Sequence, residues 1–261
     1  MSRVSQNARE SHKRSERNDA LILKKLGSPG QNGGPSSLPD LIARGTLDLE
    51  LAAWLVSHVT RGASFIVGAG PGGVGKTTTL RALLSFAPGD RSFALALPGK
   101  INNMNGAARC IISHEISDHD CPDYLWGRDL REFFALSRQG QMLAGTMHAD
   151  DLDEARDQIC RSNGVPEAQF RAINLFVFVA IEDAATSSRR VIRKVFYSDG
   201  ASEHKSVFTC DKGISARAPR YARCEALCRA FLEEAIGSRR RTAEETRRLF
   251  LAWEDRHHRG L

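Results

Sequence analysis

Residues 70–77 have the types and the spacing that suit the binding of a polyphosphate. They read Gly-Pro-Gly-Gly-Val-Gly-Lys-Thr, which matches the phosphate-loop pattern called Walker A. Glycines at these places let successive backbone N–H groups turn toward an anion, and a helix that begins near the lysine directs its positive end at the same point. We therefore predict that this loop binds the phosphates of ATP.

The side chains of the loop have separate expected roles. Lys76 would neutralise the β- and γ-phosphates, which also makes it a catalytic candidate, and the Thr77 hydroxyl would join the shell of a Mg2+ ion. The alternative is a glycine turn without a ligand. It is disfavoured because an unpaired lysine above such a turn stabilises nothing. The predicted nucleotide contacts are Gly70, Pro71, Gly72, Gly73, Val74, Gly75, Lys76, Thr77 and Thr78.

The segments around the loop predict its structural context. The apolar run Ser64-Phe-Ile-Val67 indicates a strand, and residues 77–85 have the periodicity of a helix that lays leucines on the sheet. Later apolar runs alternate with helical or turn-rich segments, which favours a mostly parallel sheet covered by helices on both faces. These predicted strands are residues 93–97, 110–113, 124–126, 142–146, 175–181 and 191–197.

The predicted fold is α/β, a P-loop NTPase with a RecA-like sheet. The last two strands are joined by the short link 182–188, which favours an antiparallel hairpin at the sheet edge. Two C-terminal helices are expected from Tyr221 onward. The second opens with the capping box Thr242-Ala-Glu-Glu245.

Composition predicts three parts of the chain. Residues 1–38 are polar and rich in turn formers, which predicts a disordered basic tail and linker. Residues 39–200 would be the P-loop ATPase domain, and residues 201–261 a basic helical extension. The net charge of +6 comes from the two ends of the chain, which is typical of solvated faces or an interaction surface.

The sequence also predicts a cellular compartment. The chain has no apolar run of the length that spans a bilayer, and its first residues lack the apolar stretch of a secretory signal. We therefore expect a cytoplasmic protein. Its six cysteines form no Cys-x-x-Cys pair, so free thiols are expected.

Three segments resemble one known family. Residues 42–54 resemble a helix with the pattern Gly-Thr...Glu-x-Ala-Ala-Tyr, and residues 75–86 follow the same family's version of Walker A. Gly145-Thr-Met-His-Ala-Asp150 is similar to its His box, Ser/Thr-Thr-Met/Ile-His-Ala-Asp. The stretch 38–197 thus resembles the C-terminal motor domain of the secretion-superfamily ATPases, which serve type II and type IV secretion, type IV pili and archaeal flagella.

The resemblance implies a function and a catalytic histidine. The family's members hydrolyse ATP as rings, often hexamers, that energise protein export or pilus assembly. His148 would then sense the γ-phosphate or orient the attacking water. The basic C-terminal helices would contact a neighbouring subunit or an inner-membrane platform protein, at the inner face of the membrane.

The chain departs from the family in its acidic residues. The family has a glutamate in an Asp box and another in a Walker B motif, Gly-Glu-Val-Arg-Gly. Residues 92–97 are apolar where the Asp box would lie, so Glu115 in Ile111-Ile-Ser-His-Glu-Ile116 becomes the candidate catalytic acid. Residues 122–127 resemble the family's lead into Walker B, but Arg128 stands where its glutamate would be, and Asp129 is the nearest acid.

These departures leave two alternatives to a motor. Binding rests on many contacts and survives the loss of one acid, whereas losing a general base costs about 10²–10⁴ in rate. One alternative is therefore a nonhydrolysing nucleotide-binding regulator of such a motor. The other is a P-loop ATPase that acts on nucleic acid, suggested by the basic ends. No basic stripe with interleaved aromatic residues occurs between those ends, so nucleic acid is not the expected partner.

Overall fold

A central sheet organises the chain. The structure, a computed structural model, describes residues 16–27, 37–70, 72–101, 104, 106–184, 187–237 and 242–258. Its strands are β1 (Phe65–Gly68), β2 (Ser92–Leu95), β3 (Arg109–Ile116), β4 (Tyr124–Leu125), β5 (Met142–Met147), β6 (Leu175–Ala184), β7 (Ser187–Tyr197), β8 (Lys205–Thr209) and β9 (Gly213–Ile214). They follow the spatial order β2-β3-β5-β1-β6-β7-β8-β9, with β4 beside β3.

Most of these strands run parallel. The pairs β2–β3, β3–β5, β5–β1 and β1–β6 are all parallel, whereas β6, β7, β8 and β9 pair antiparallel in turn. The predicted α/β fold with a mostly parallel sheet is therefore confirmed. The predicted hairpin, β6–β7, is present too, but it is not at the edge, because β8 and β9 continue the sheet beyond it.

Helices cover both faces of the sheet. They are α1 (residues 16–25), α2 (Leu38–Ala43), α3 (Leu49–Val59), α4 (Lys76–Leu84), α5 (Gly127–Ala135), α6 (Leu152–Arg156), α7 (Glu167–Arg171), α8 (Ala222–Ile236) and α9 (Ala243–His258). A 3-10 turn, Leu136–Gln139, follows α5, and a π-helical segment, Asp157–Ser162, continues α6. Among the described helices, none combines the length and apolar character needed to cross a membrane.

Alternation along the strands divides the core into two layers. Val67 and Val177 pack with α1–α4, α8 and α9, while Ile66 and Phe176 face the opposite layer with α5–α7. Strands β1 and β5 are buried at every residue, as expected for parallel strands covered on both faces. This arrangement holds the ends of neighbouring strands in fixed positions, and the candidate site lies at those ends.

The C-terminal part belongs to the same core as the rest of the chain. The Trp54 indole N–H donates to the Pro219 carbonyl at 2.8 Å, and Phe86 packs edge-on against Phe231 and Phe250. The predicted capping box of α9 is confirmed, since Thr242 and Glu245 exchange side-chain to backbone hydrogen bonds. The predicted basic helical extension, residues 201–261, needs one correction, because the strands β8 and β9 precede its helices. Each of the six cysteines is free.

The prediction of a disordered tail is wrong for residues 16–27. Residues 16–25 form α1, with Leu23 and Leu26 fully buried and Ile22 nearly so. Three apolar residues at helical spacing suffice here because they join an existing core, a tertiary contact that composition does not register. Residues 1–15 and 28–36 of the predicted tail and linker lie outside the described residues.

Helix α1 also closes one edge of the sheet. The Phe93 N–H of the edge strand β2 donates to Asp19 at 2.8 Å, and the Asn18 amide donates to the Phe93 carbonyl at 3.0 Å. Arg247 of α9 donates to the same Asp19 carboxylate at 2.8 Å and to the Ala87 carbonyl at 2.7 Å, and both charged residues are buried. These side chains take the place of a neighbouring strand at an edge that would otherwise be open to pairing.

We predict that Asp19→Ala lowers the free energy of unfolding by about 3–5 kcal/mol, because it leaves the Arg247 guanidinium buried without its counter-ion. Urea unfolding monitored by circular dichroism measures the change. Glu50→Ala is the control, since Glu50 pairs with Arg220 at the surface and such pairs contribute at most about 1 kcal/mol. Equal losses in the two variants would contradict the proposed role of Asp19.

Candidate functional site

The glycine-rich loop connects β1 directly to α4. Gly73 and Gly75 have backbone φ angles of 78° and 107°, a region that residues with a side chain rarely adopt. Gly75 caps α4 without any side-chain hydrogen bond, so no cap occupies the first N–H groups of the helix. The first N–H groups of α4, which no side chain caps, therefore lie where the positive end of the helix points. Pro71 lies outside the described residues.

Lys76 is a buried cation at the mouth of this loop. Its Nζ lies 3.3 Å from His148 Nδ1, 3.5 Å from the Ala69 carbonyl oxygen and 3.6 Å from Glu115 Oε1. The distance to Glu115 is that of an ion pair and is too long for a hydrogen bond. Burial lowers the pKa of Lys76, while the Glu115 and Asp150 carboxylates act in the opposite direction. A phosphate group would supply the close anionic partner that the lysine lacks.

His148 follows β5 immediately, and its ring is about one-third exposed at 34%. Its Nδ1 lies 2.8 Å from the Gly70 carbonyl oxygen, which can only accept, so the two form a hydrogen bond in the tautomer that carries the proton on Nδ1. In that tautomer the Nε2 atom carries a lone pair, and it lies 3.5 Å from Lys76 Nζ and 3.9 Å from Glu115 Oε1. The histidine can therefore accept a hydrogen bond at the centre of the site.

Glu115 reaches the site from β3, two strands away from β1. A β-bulge between Ser113 and Ile116 interrupts the pairing with β5 at this residue, and bulges commonly redirect a side chain beside an active site. The carboxylate is only 8% exposed. Its Oε2 lies 2.9 Å from the Thr146 hydroxyl, and its buried Oε1 has no hydrogen-bond partner in the structure. A buried carboxylate oxygen without a donor is suited to accept one from a ligand or water.

Asp150 occupies the start of the phosphate loop. Its Oδ1 accepts a hydrogen bond from the Gly70 N–H at 2.7 Å, and a Cβ added to Gly70 would lie 2.2 Å from Oδ2. A side chain at position 70 would therefore displace the Asp150 carboxylate from the Gly70 N–H. Two arginines of β7 bind the same region, since Arg190 donates to the Gly73 carbonyl at 3.1 Å and Arg193 to the Asp150 carbonyl at 3.2 Å.

The structure brings most of the predicted residues together. Lys76, Glu115 and His148 converge, and Thr77 and Thr78 lie half-buried in the first turn of α4. Sequence reasoning missed Thr146, Asp150, Arg190 and Arg193 as site residues. Asp150 could have been predicted, because it is the last residue of the segment that is similar to the His box. The two arginines had no such signal, because only the strand order places β7 near the loop.

The segment that resembled the lead into Walker B supplies no acid to this cluster. Residues 124–125 form the short strand β4, and α5 begins at Gly127. Arg128 pairs with Glu132 one helical turn away, and Asp129 accepts a hydrogen bond from the Gly99 N–H at 2.7 Å. Glu115 is therefore the acid that the described part of the chain places against Lys76.

The mostly parallel sheet and the glycine-rich loop between β1 and α4 define a RecA-like P-loop α/β fold. Among solved structures, the chain is similar to the VirB11 ATPase from the Brucella suis type IV secretion system, with 15% identity and a TM-score of 0.41 over 66% of this chain and 62% of that chain. It is also similar to the Legionella pneumophila ATPase DotB, with 13% identity and a TM-score of 0.42 over 62% of this chain and 52% of that chain. The chain thus spans less than two thirds of either structure. No protein-family model and no curated protein matches it.

We predict that Thr146→Val lowers the free energy of unfolding by about 1–3 kcal/mol, because the His114 carbonyl at 2.6 Å and the buried Glu115 carboxylate at 2.9 Å lose the hydroxyl that they share, while the shape of residue 146 is kept. Thr146→Ser is the matched control, since it keeps the hydroxyl and removes only the methyl group. Urea unfolding at neutral pH compares them. A valine variant as stable as the unaltered protein would show that the hydroxyl does not support Glu115.

Proposed function

We propose that the chain binds Mg2+-ATP in the glycine-rich loop and hydrolyses it. One observation carries the proposal: a lysine ammonium, a glutamate carboxylate and a histidine imidazole lie 3.3–3.9 Å apart at the mouth of that loop. They extend from the carboxyl ends of β1, β5 and β3, which are neighbours in the sheet, and ligands of open α/β sheets bind at that edge.

Each group in the cluster has a task in ATP hydrolysis. The free N–H groups of the loop and Lys76 would bind the β- and γ-phosphates, so Lys76 exchanges the long contact with Glu115 for short contacts with phosphate. Glu115 would then accept a proton from the attacking water. His148, with its proton on Nδ1, would orient that water by accepting its second hydrogen at Nε2. Thr77 is the candidate ligand of Mg2+, which when bound neutralises charge on the phosphates.

The cellular role is proposed from the sequence resemblance. Residues 75–86 and 145–150 are similar to the Walker A and His-box segments of the secretion-superfamily ATPases. We infer a ring-forming motor of protein export or pilus assembly, cytoplasmic or peripheral at the inner face of the membrane. A neighbouring subunit and an inner-membrane platform protein are its proposed partners.

One observation favours a second function, that of a nonhydrolysing regulator of such a motor. Arg128 and Asp129, at the place where the family has its Walker B glutamate, are both engaged away from the cluster. Catalysis then depends on Glu115, the described acid that forms an ion pair with Lys76. If Glu115 does not serve as the base, binding remains and turnover is lost.

A phosphate-release assay and calorimetry on the purified chain test these functions. We predict that the unaltered protein binds Mg2+-ATP and releases phosphate, and that Lys76→Ala loses both activities. Glu115→Gln should still bind ATP but release phosphate about 10²–10⁴ times more slowly, because the general base is gone.

Glu132→Gln is the control, since it makes the same chemical change at a residue that pairs with Arg128 on α5. It should leave binding and release unchanged. Binding without phosphate release in the unaltered protein would identify the regulator. No heat of binding and no thermal shift at millimolar nucleotide would rule out both functions.

A further inference from the structure

Two arginines of β7 hold the phosphate loop from outside. Arg190 Nη2 donates to the Gly73 carbonyl at 3.1 Å, in the middle of the loop. Arg193 Nη2 donates to the Asp150 carbonyl at 3.2 Å, and the Asp150 carboxylate in turn accepts from the Gly70 N–H at 2.7 Å. The loop is therefore tied to β7 at its start and at its centre.

The contact of Arg190 includes its aliphatic part. The Arg190 Cδ lies 3.1 Å from the point where a side chain on Gly75 would begin, so the arginine passes closely over the second half of the loop. Gly73 and Gly75, the residues that it contacts, are the two described loop glycines with positive φ. Arg190 thus packs on the part of the loop where glycine leaves the backbone angles least restricted.

Arg190 directs its guanidinium to the loop, and Arg193 Nε is buried without a hydrogen-bond partner. Arg189, the adjacent residue, differs, because its guanidinium pairs with Glu182 across the hairpin at 2.9 Å. Side chains of neighbouring residues on a strand point to opposite faces. Arg190 is therefore available to the loop, while Arg189 serves the hairpin.

A glycine-rich loop loses much conformational entropy when it closes around a phosphate. A contact that holds the loop in its bound shape beforehand reduces that cost and so raises affinity. A guanidinium suits this role because it donates several hydrogen bonds in a fixed plane and keeps its charge at every physiological pH.

We propose that Arg190 is a positioning residue that holds the phosphate loop in its anion-binding conformation and thereby sets the affinity for nucleotide. The proposal rests on the proposed function, since it concerns the same loop. Arg190 acts on the Gly73 carbonyl and not on the γ-phosphate, so ADP and ATP should depend on it equally. Through Arg190, a movement of the β6–β7 hairpin would change nucleotide affinity.

The test compares Arg190→Met with Arg189→Met. Methionine keeps much of the aliphatic length over Gly75 and removes the donor to Gly73. We expect Arg190→Met to raise the Kd for Mg2+-ADP and for Mg2+-ATP by the same factor, about fivefold to tenfold, as for the loss of one hydrogen bond. Arg189→Met should leave both values within twofold of the unaltered protein. Arg190→Lys, which can still donate to the Gly73 carbonyl, should recover most of the affinity.

Hydrogen exchange without nucleotide provides a readout that does not depend on ATP binding. Arg190→Met should increase the exchange of the amides of residues 72–76 and leave β5 and the midpoint of urea unfolding unchanged. Unchanged exchange together with unchanged Kd values would overturn the proposal. So would a loss of affinity for ATP alone, which would indicate a direct contact with the γ-phosphate. If the unaltered chain binds neither nucleotide, the proposed function fails, and the role of Arg190 in affinity fails with it.

Discussion

The candidate site depends on a buried ammonium group that has no close anionic partner. Lys76 is 7% exposed, and its nearest carboxylate oxygen is 3.6 Å away. Removing a cation from water is costly unless an anion replaces the water, and burial accordingly lowers the pKa of this lysine. The same lack makes the position favourable for a phosphate, which would bring negative charge to the lysine and to the free N–H groups of α4 together.

The parallel sheet makes this arrangement possible. Lys76 opens α4, which the loop joins to β1, His148 follows β5 directly, and Glu115 lies near the end of β3, so three neighbouring strands between two helical layers place the three groups. A site on neighbouring parallel strands is held more firmly than one on loops, because no single side chain can shift without disturbing the core. The contacts at the sheet edge also support the site. Asp19 accepts a hydrogen bond from β2, the neighbour of β3, and Arg247 holds the Asp19 carboxylate in place.

The sequence predicted the parts of the site that depend on local patterns. The loop at 70–77, the strand before it and the helix after it are contiguous, so residue types and spacing sufficed. The contact of Glu115 with Lys76 depends on a bulge in β3 and on the order β3-β5-β1, and neither is encoded within a few residues. The error over α1 has a related cause: its apolar residues join the main core, and its Asp19 bonds to α9 and β2, which are distant in sequence.

The arginines of β7 contact the phosphate loop region although no sequence motif contains them. Arg190 and Gly73 are 117 residues apart in the sequence. They come into contact because β6 pairs with both β1 and β7, which places β7 near the loop that follows β1. The glycines that allow the loop to surround an anion also leave it poorly restricted when no anion is present. A loop of this composition therefore gains from an external constraint, and a strand that continues into the C-terminal part of the sheet provides one. Arg190 and Arg193 therefore connect the hairpin to the region of the phosphate loop by hydrogen bonds that cross from β7 to the edge of the sheet where β1 ends.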